Sequence, residues 1–404
     1  MRKKVTLHGA GHVDLTASAE RRQARKKNVQ SFGVRPLSGS PPWKVIFMSP
    51  CWFRGGLETV TINHLRLMDR ELFDPHLLVG QLADGAADSL PEGVKMHIHS
   101  GCFEWDYPPA QSLTNRVSRI SRDVIAKIAP DIIIGQLSHA SMFGAKQAEV
   151  PIMAEYWHSS GGWDRLDHPS DLAIAVTQWT ADAVGRVRHM VNTPVKVVLN
   201  GVDPALFHPP TDREEMRERY GISSDTSVVG FSGRVVKQKD PAAWMEIVAQ
   251  VNQVRPVVAM ICGPLHNPNI FNSISSVAAA RGVRLIHESI RYENMHSFYG
   301  MMDVLLHTSV METFGMILVE ALMCGTPVVA YDVAAIPEVA SHVADDERFR
   351  LVPGRSIPVA VREILSVLES RDRTVPENMG MFDAKNMSDN LKGILLEEIE
   401  KRVD

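Results

Sequence analysis

Glu312 and Glu320 stand eight residues apart in SVMETFGMILVEALMCGTPVVA, residues 309–330. Glu312 precedes an apolar helical run, and the turn Thr313-Phe314-Gly315-Met316 leaves amide N–H groups free to meet an anion. Glu320 falls one to two turns into that helix, on an otherwise apolar face, where a carboxylate is costly unless it accepts hydrogen bonds. Ribose hydroxyls are donors of that kind. The pair therefore reads as a nucleotide-diphosphate site, with Glu312 toward its sugar end. An acid at a helix start plus an ion pair at the edge of the core is the alternative for the same spacing.

Three further stretches could serve such a site. In Gly233-Arg234-Val235-Val236-Lys237-Gln238-Lys239, the cations Arg234 and Lys239 lie five apart across a loop that follows a predicted strand. Arg as a fork and Lys as a point charge could clamp one diphosphate, although a solvated basic loop has the same composition. Gly55 and Gly56 open a helix after the first strand, where glycine lets a phosphate approach the backbone; a tight turn alone would also use them. His158 ends another strand, a position open to either a structural or a chemical role. Asn200-Gly201-Val202-Asp203 has turn composition and reads as a hinge.

The elements that must position these groups alternate along the chain. Apolar, β-branched runs at 44–50, 76–80, 94–98, 131–135, 151–157 and 172–176 read as buried parallel strands, with amphipathic helices at 57–68, 111–128, 140–148 and 179–190. The pattern restarts with strands at 227–233, 257–263, 283–286 and 303–309, the strand TPVVA and the run RLVPG. Helices are read at 241–251, within the opening stretch and near 358–368. A last amphipathic helix covers 383–401. The fold class is α/β, with two doubly wound units facing a cleft and ligands at the carboxyl ends of the strands. Domains are expected at 1–42 (a basic, disordered tail), 43–203, 204–380 and 381–404.

Length and charge set limits. The chain has 404 residues, and its formal net charge of −4 argues against nucleic acid as a partner. Residues 1–40 hold nine basic against two acidic residues, a local +7 that suits a solvated tail or a weak anchor to anionic lipid. That tail lacks the apolar core of a signal peptide, and no run of about 18 apolar residues follows. The expected place is the cytoplasm, with peripheral contact at the inner face of a membrane as a further option. Four scattered cysteines form no CxxC pair and no zinc spacing, so no metal centre is expected. Trp52, Phe53, Trp105, Tyr107, Trp157 and Trp163 could stack on a sugar face or anchor loops.

Taken together, these pieces resemble the retaining GT-B glycosyltransferases of family 4, from about residue 45 to 395. The resemblance is carried by Gly-Gly-x-Glu at 55–58, Asn-Gly-Val-Asp…Phe-x-Pro at 200–209, Gly-Arg-x-x-x-x-Lys at 233–239, the Glu312…Glu320 pair, and Glu338 after Ile336-Pro337. It implies a nucleotide-sugar donor, UDP- or GDP-linked, and a glycan, lipid-linked or small-molecule acceptor, with no cofactor and no essential metal. Arg234 and Lys239 would hold the diphosphate, with Gly233 also at the donor. Glu312 would contact the donor sugar and Glu320 the ribose, while Thr313, Phe314, Gly315 and Met316 would lie along the donor. Gly55 and Gly56 would face the phosphates across the cleft, and His158 would lie near donor sugar and acceptor. The last helix would cross back to the first domain. Thr313, Ala334 and Ala335 stand where the family uses glycine, which suggests a loop that lies differently. A phosphorylase or epimerase on the same fold, or an inactive binding protein, would share most of these features.

Overall fold

The computed structural model describes residues 35–403 except 54, 84, 104–110, 160–169, 188–191 and 346. The basic tail before residue 35, and Trp105, Tyr107 and Trp163, lie outside the described residues.

The first half holds β1 (Trp43–Trp52), α1 (Gly56–Leu67), β2 (Phe73–Leu82), β3 (Lys95–Ile98), α2 (Gln111–Ile128), β4 (Ile132–Gly135), α3 (His139–Gln147), β5 (Ile152–Trp157), β6 (Leu172–Ala175), α4 (Gln178–Gly185) and β7 (Val195–Val197). The second holds α5 (Arg213–Arg219), β8 (Ser227–Ser232), α6 (Pro241–Val254), β9 (Val257–Cys262), α7 (Pro268–Ala280), β10 (Arg284–Glu288), α8 (Met295–Met301), β11 (Val304–His307), α9 (Met316–Met323), β12 (Val328–Tyr331), α10 (Ile336–Val343), β13 (Phe349–Val352) and α11 (Ile357–Ser370). A final helix, α12, spans Ala384–Val403.

Two parallel sheets result, in the orders β3-β2-β1-β4-β5-β6-β7 and β10-β9-β8-β11-β12-β13. The central strands are apolar and buried end to end, as a sheet covered by helices on both faces requires: β4, β5, β6, β8, β9, β11 and β12 carry no exposed residue. In each sheet the strand order turns outward from the first strand, β1 or β8, so the crevice above that strand is where a ligand fits.

Several helices depart from the sequence expectation. The helix expected over 179–190 ends at Gly185, and Thr177 caps its start by accepting from Thr180 N. α7 was not anticipated, although Asn267 followed by Pro268 is a start signal: the Asn267 side chain accepts from the Asn269 and Ile270 amides. The short β7 gives no signal in the sequence, because three residues carry too little pattern.

Two chain crossings join the halves. Val202 N donates to Phe382 O at 2.7 Å and Ala384 N donates to Val202 O at 2.9 Å, so the outgoing and returning linkers are paired with each other. α12 then packs on α1 in the first half. Lys392 reaches Asp69 at 3.8 Å, Lys196 meets Glu397 at 2.9 Å, and Arg402 meets Asp171 at 3.0 Å. One apolar cluster runs through this junction and includes Val60, Leu65, Phe207, Phe314, Phe382, Leu391 and Leu395.

Candidate functional site

The groups singled out in the sequence converge because each follows the carboxyl end of a strand. Gly55 and Gly56 follow β1, His158 follows β5, Gly233 to Lys239 follow β8, Glu312 to Met316 follow β11, and Glu338 follows β12. The sheets meet closely here: a methyl group on Gly56 would lie 4.0 Å from Met316 Cγ of the opposite half.

Lys239 and Glu312 form a largely buried ion pair, Nζ to Oε1, and His307 Nε2 lies 3.2 Å from the same oxygen. Burial pushes the Glu312 carboxyl up, but contact with His307 and the charge of Lys239 outweigh it and hold it at about 2. Glu312 is therefore a carboxylate at any ordinary pH. Burial lowers the pKa of His307, against the pull of Glu312. Arg234 is exposed on the same loop.

α9 starts at Gly315, which takes φ +84, and no side chain caps it. A methyl group there would meet Leu318 Cδ1 at 2.9 Å and Ile336 Cδ1 at 3.1 Å, so both conformation and space require glycine. Phe314 is turned inward: it is buried and meets Phe382 edge-on, with centroids 5.9 Å apart. Its ring belongs to the core, and only its backbone faces the turn's amides. Glu320 is buried, Tyr299 Oη donates to its Oε2 at 2.7 Å, and Tyr292 Oη donates to its Oε1 at 3.0 Å. Burial raises this carboxyl to about 7 in spite of the two phenols.

Across the cleft, Glu58 changes the reading of the glycine pair. Its carboxylate folds back over the start of α1, so that a methyl on Gly55 would lie 2.8 Å from Glu58 Oε2. The helix start thus already faces an acid of its own chain. Burial raises the Glu58 pKa, opposed by hydrogen bonds from the Glu58 and Phe53 amides and by the charge of Arg234. The signal was available in the sequence: Gly55 is the N-cap and Glu58 is three residues on, the place from which a carboxylate reaches back.

The His158 ring lies against Tyr156, tilted by 32° with centroids 4.4 Å apart, and Tyr156 Oη lies 3.2 Å from His64 Nε2. Burial lowers His158 to about 3, so it is neutral; burial, then the nearby His158, lowers His64 to about 3. A neutral imidazole can accept or pass a proton but adds no charge. Nothing in the spacing of His64 pointed here.

Thr313, one of the positions read as departing from glycine, fastens the halves together. Thr313 Oγ1 donates to His158 O at 2.7 Å, and Thr177 Oγ1 donates to Thr313 O at 3.0 Å. Beside them the Glu338 carboxylate accepts from the Gln178 and Trp179 amides at 2.6 and 2.8 Å, capping α4 from the other domain. Ala334 takes φ +51, a left-handed conformation, and Ala335 N donates to Glu312 O at 3.1 Å. The loop thus keeps a glycine-type bend in spite of its alanine. A left-handed alanine costs about 1 kcal/mol, so Ala334→Gly should raise stability by roughly 0.5–1 kcal/mol in urea titrations. No gain would mean that the loop is relaxed as it stands.

Comparison with known proteins follows the same division. Residues 212–381 match the family "Glycosyl transferases group 1" and residues 54–206 match "Glycosyltransferase Family 4". A D-inositol 3-phosphate glycosyltransferase from Xylanimonas cellulosilytica is 31% identical over 220 residues, 52% of this chain and 51% of that protein. An alpha-maltose-1-phosphate synthase from Mycolicibacterium smegmatis is 31% identical over 182 residues, 43% of this chain and 46% of that protein. The chain thus spans about half the length of the curated relatives it matches. Among solved structures, sucrose-phosphate synthase from Thermosynechococcus elongatus superposes with a TM-score of 0.71 at 15% identity, covering 88% of this chain and 98% of that one. Anabaena HepE in complex with UDP-glucose gives 0.68 at 19%, covering 88% and 100%. At these identities the structural likeness is one of fold.

Proposed function

Because the chain belongs to the glycosyl transferases, a Family 4 domain followed by a group 1 domain on the two-sheet GT-B fold, we propose that it moves a sugar from a nucleoside-diphosphate sugar to an acceptor hydroxyl with retention of configuration. One observation carries the reading. The buried Lys239–Glu312 pair precedes the uncapped start of α9, the helix that carries Glu320, and that start meets the other half at Gly56, 4.0 Å from Met316 Cγ, and at His158, whose carbonyl accepts from Thr313 Oγ1 at 2.7 Å.

The roles follow from that arrangement. Arg234 and Lys239 neutralise the diphosphate, and the Gly315 and Met316 amides add donors at the helix start. Glu320 accepts a ribose hydroxyl. Glu312, anionic and held by Lys239, accepts from the donor sugar, and the neutral His158 lies beside the acceptor. The bond between the anomeric carbon and the diphosphate oxygen breaks, the acceptor oxygen bonds to that carbon on the same face, and the acceptor proton passes to the leaving diphosphate. Fixed positive groups aimed at the leaving oxygen perform the stabilisation that a metal performs elsewhere.

HepE is solved with UDP-glucose, which supports a UDP-sugar as the first donor to try. The names of the relatives, an inositol phosphate glycosyltransferase and a maltose-1-phosphate synthase, make polyol and sugar phosphates the first acceptors. Among the described residues no helix is long and apolar enough to cross a membrane, and a lipid-linked acceptor met at a membrane surface stays within the proposal.

The test is release of nucleoside diphosphate from UDP-, GDP- and ADP-sugars in the presence of EDTA, with Glu320→Ala beside the native protein. One donor should be turned over, and Glu320→Ala should lower its turnover about ten-fold by leaving the ribose misplaced, with little loss of donor binding. Diphosphate binding without turnover of any donor, with polyol, sugar-phosphate and lipid-linked acceptors present, would favour a binding protein on the same fold. Turnover that stops with EDTA would remove the metal-free part of the proposal.

A further inference from the structure

The two phenols on Glu320 differ in what holds them. Tyr299 is fully buried on α8 and its Oη also lies 3.0 Å from Ser232 Oγ, so it is part of the wall. Tyr292 stands in the single turn Tyr292–Asn294 that follows β10. The residue as a whole is partly exposed, between an exposed Arg291 and an exposed Glu293, while its hydroxyl is buried. Its ring meets Phe207 edge-on with centroids 5.2 Å apart, and its hydroxyl also meets Thr59 on α1. Phe207 follows the outgoing linker and Thr59 lies in the opposite domain. One side chain therefore touches both halves of the molecule and one oxygen of the carboxylate.

That oxygen, Oε1, is the one a ribose hydroxyl needs. Oε2 is committed to the fixed Tyr299, and a buried carboxylate has little open space for a further donor on the same side. A phenol on a one-turn segment can leave, whereas one inside the packed α8 cannot.

We propose that Tyr292 is a gate on the donor's ribose position: its phenol holds the oxygen of Glu320 that a ribose hydroxyl takes on binding, and it swings out as the donor seats. The proposal rests on the reading of Glu320 as ribose acceptor. Each ribose hydrogen bond then replaces a phenol hydrogen bond, so the ribose hydroxyls add little net affinity in the native chain. The contacts with Thr59 and Phe207 tie the swing to how the two domains lie.

Calorimetric titration of native protein and Tyr292→Phe with UDP and with 2′,3′-dideoxy-UDP tests this, with the GDP pair substituted if the donor screen selects GDP. Tyr292→Phe should bind the ribonucleotide about ten-fold tighter, and the dideoxy form no tighter. The penalty for removing the ribose hydroxyls should accordingly be small in the native protein and about ten-fold larger in the variant. Equal or weaker binding by Tyr292→Phe, with an unchanged dideoxy penalty, would overturn the gate while leaving the donor site in place. Failure of both proteins to bind any diphosphate would overturn the donor site and the gate together. A melting curve checks that Tyr292→Phe is folded. If it is not, Thr59→Val replaces it, removing a contact of the phenol without touching Glu320: ribonucleotide binding should tighten two- to three-fold, and no change would overturn the gate.

Discussion

Alanine at Lys239 is expected to lower nucleoside diphosphate release by about 10²–10³-fold, the cost of losing a preorganised charge at a developing anion, and to lower stability by about 3 kcal/mol, the cost of stranding a buried partner. Both effects trace to one atom. Lys239 Nζ meets Glu312 Oε1 where both side chains are largely buried, and His307 is the second group on that oxygen. Removing the lysine leaves the carboxylate with a histidine that burial keeps poor at holding a proton. The pH dependence has a definite sign. The Glu312 carboxyl titrates near 2 when folded against an ordinary 4.5, so its pairing contributes stability above about pH 4.5 and loses it as pH falls toward 2. The difference in urea midpoint between native protein and Lys239→Ala should be largest above pH 4.5 and close toward pH 2. Lys239→Ala/Glu312→Ala should recover much of the stability and none of the turnover. A single variant as stable as the native protein would show that the pair is solvated rather than buried.

Gly201→Ala should be a damaging change far from the cleft. A methyl there would lie 2.5 Å from Ala384 Cα and 2.8 Å from both Ala384 N and Asp383 O. All three are backbone atoms, so no side chain can move aside, and the cost falls at the upper end of overpacking, about 3 kcal/mol. The site is held on other sides too, since Asn63 Nδ2 donates to Gly201 O at 3.2 Å and Arg66 pairs with Asp203 at 2.7 Å. The variant should show earlier proteolytic cleavage between residues 376 and 384 and a lower melting temperature. Gly380→Ala, where nothing lies within 4 Å, should melt like the native protein. Equal behaviour of the two variants would mean that the crossing is loose.

What the sequence revealed and what it hid follow different physics. Strands such as IIIG at 132–135 and VVAMIC at 257–262 are buried on both faces and therefore read as unbroken apolar runs. Because ligand-binding loops follow strand ends, locating the strands also located Arg234, Lys239, Glu312 and His158. The pairing of side chains was not legible. That Glu312 meets Lys239 across 73 residues, or that Glu320 is held by Tyr292 and Tyr299, depends on strand order and helix rotation. The two readings left open for the glutamates do not compete: Glu312 is in a largely buried ion pair and also follows a strand end. The rotation of Phe314 was equally hidden: its place in the turn says nothing of its ring, which packs into the core against Phe382.

The position of α12 bears on how the protein is made. Its residues come after all of the second domain, yet Leu391, Leu395 and Ile399 are buried in the layer that covers the first. At about 5–20 residues per second of synthesis, roughly ten to forty seconds separate the end of the first domain's strands from the helix that completes it. Throughout that interval the nascent first domain carries on α1 the face that α12 later covers. The late-made α12 thus completes it, and a ribosome-tethered chain halted before residue 384 should draw holdase chaperones that a chain carrying α12 does not.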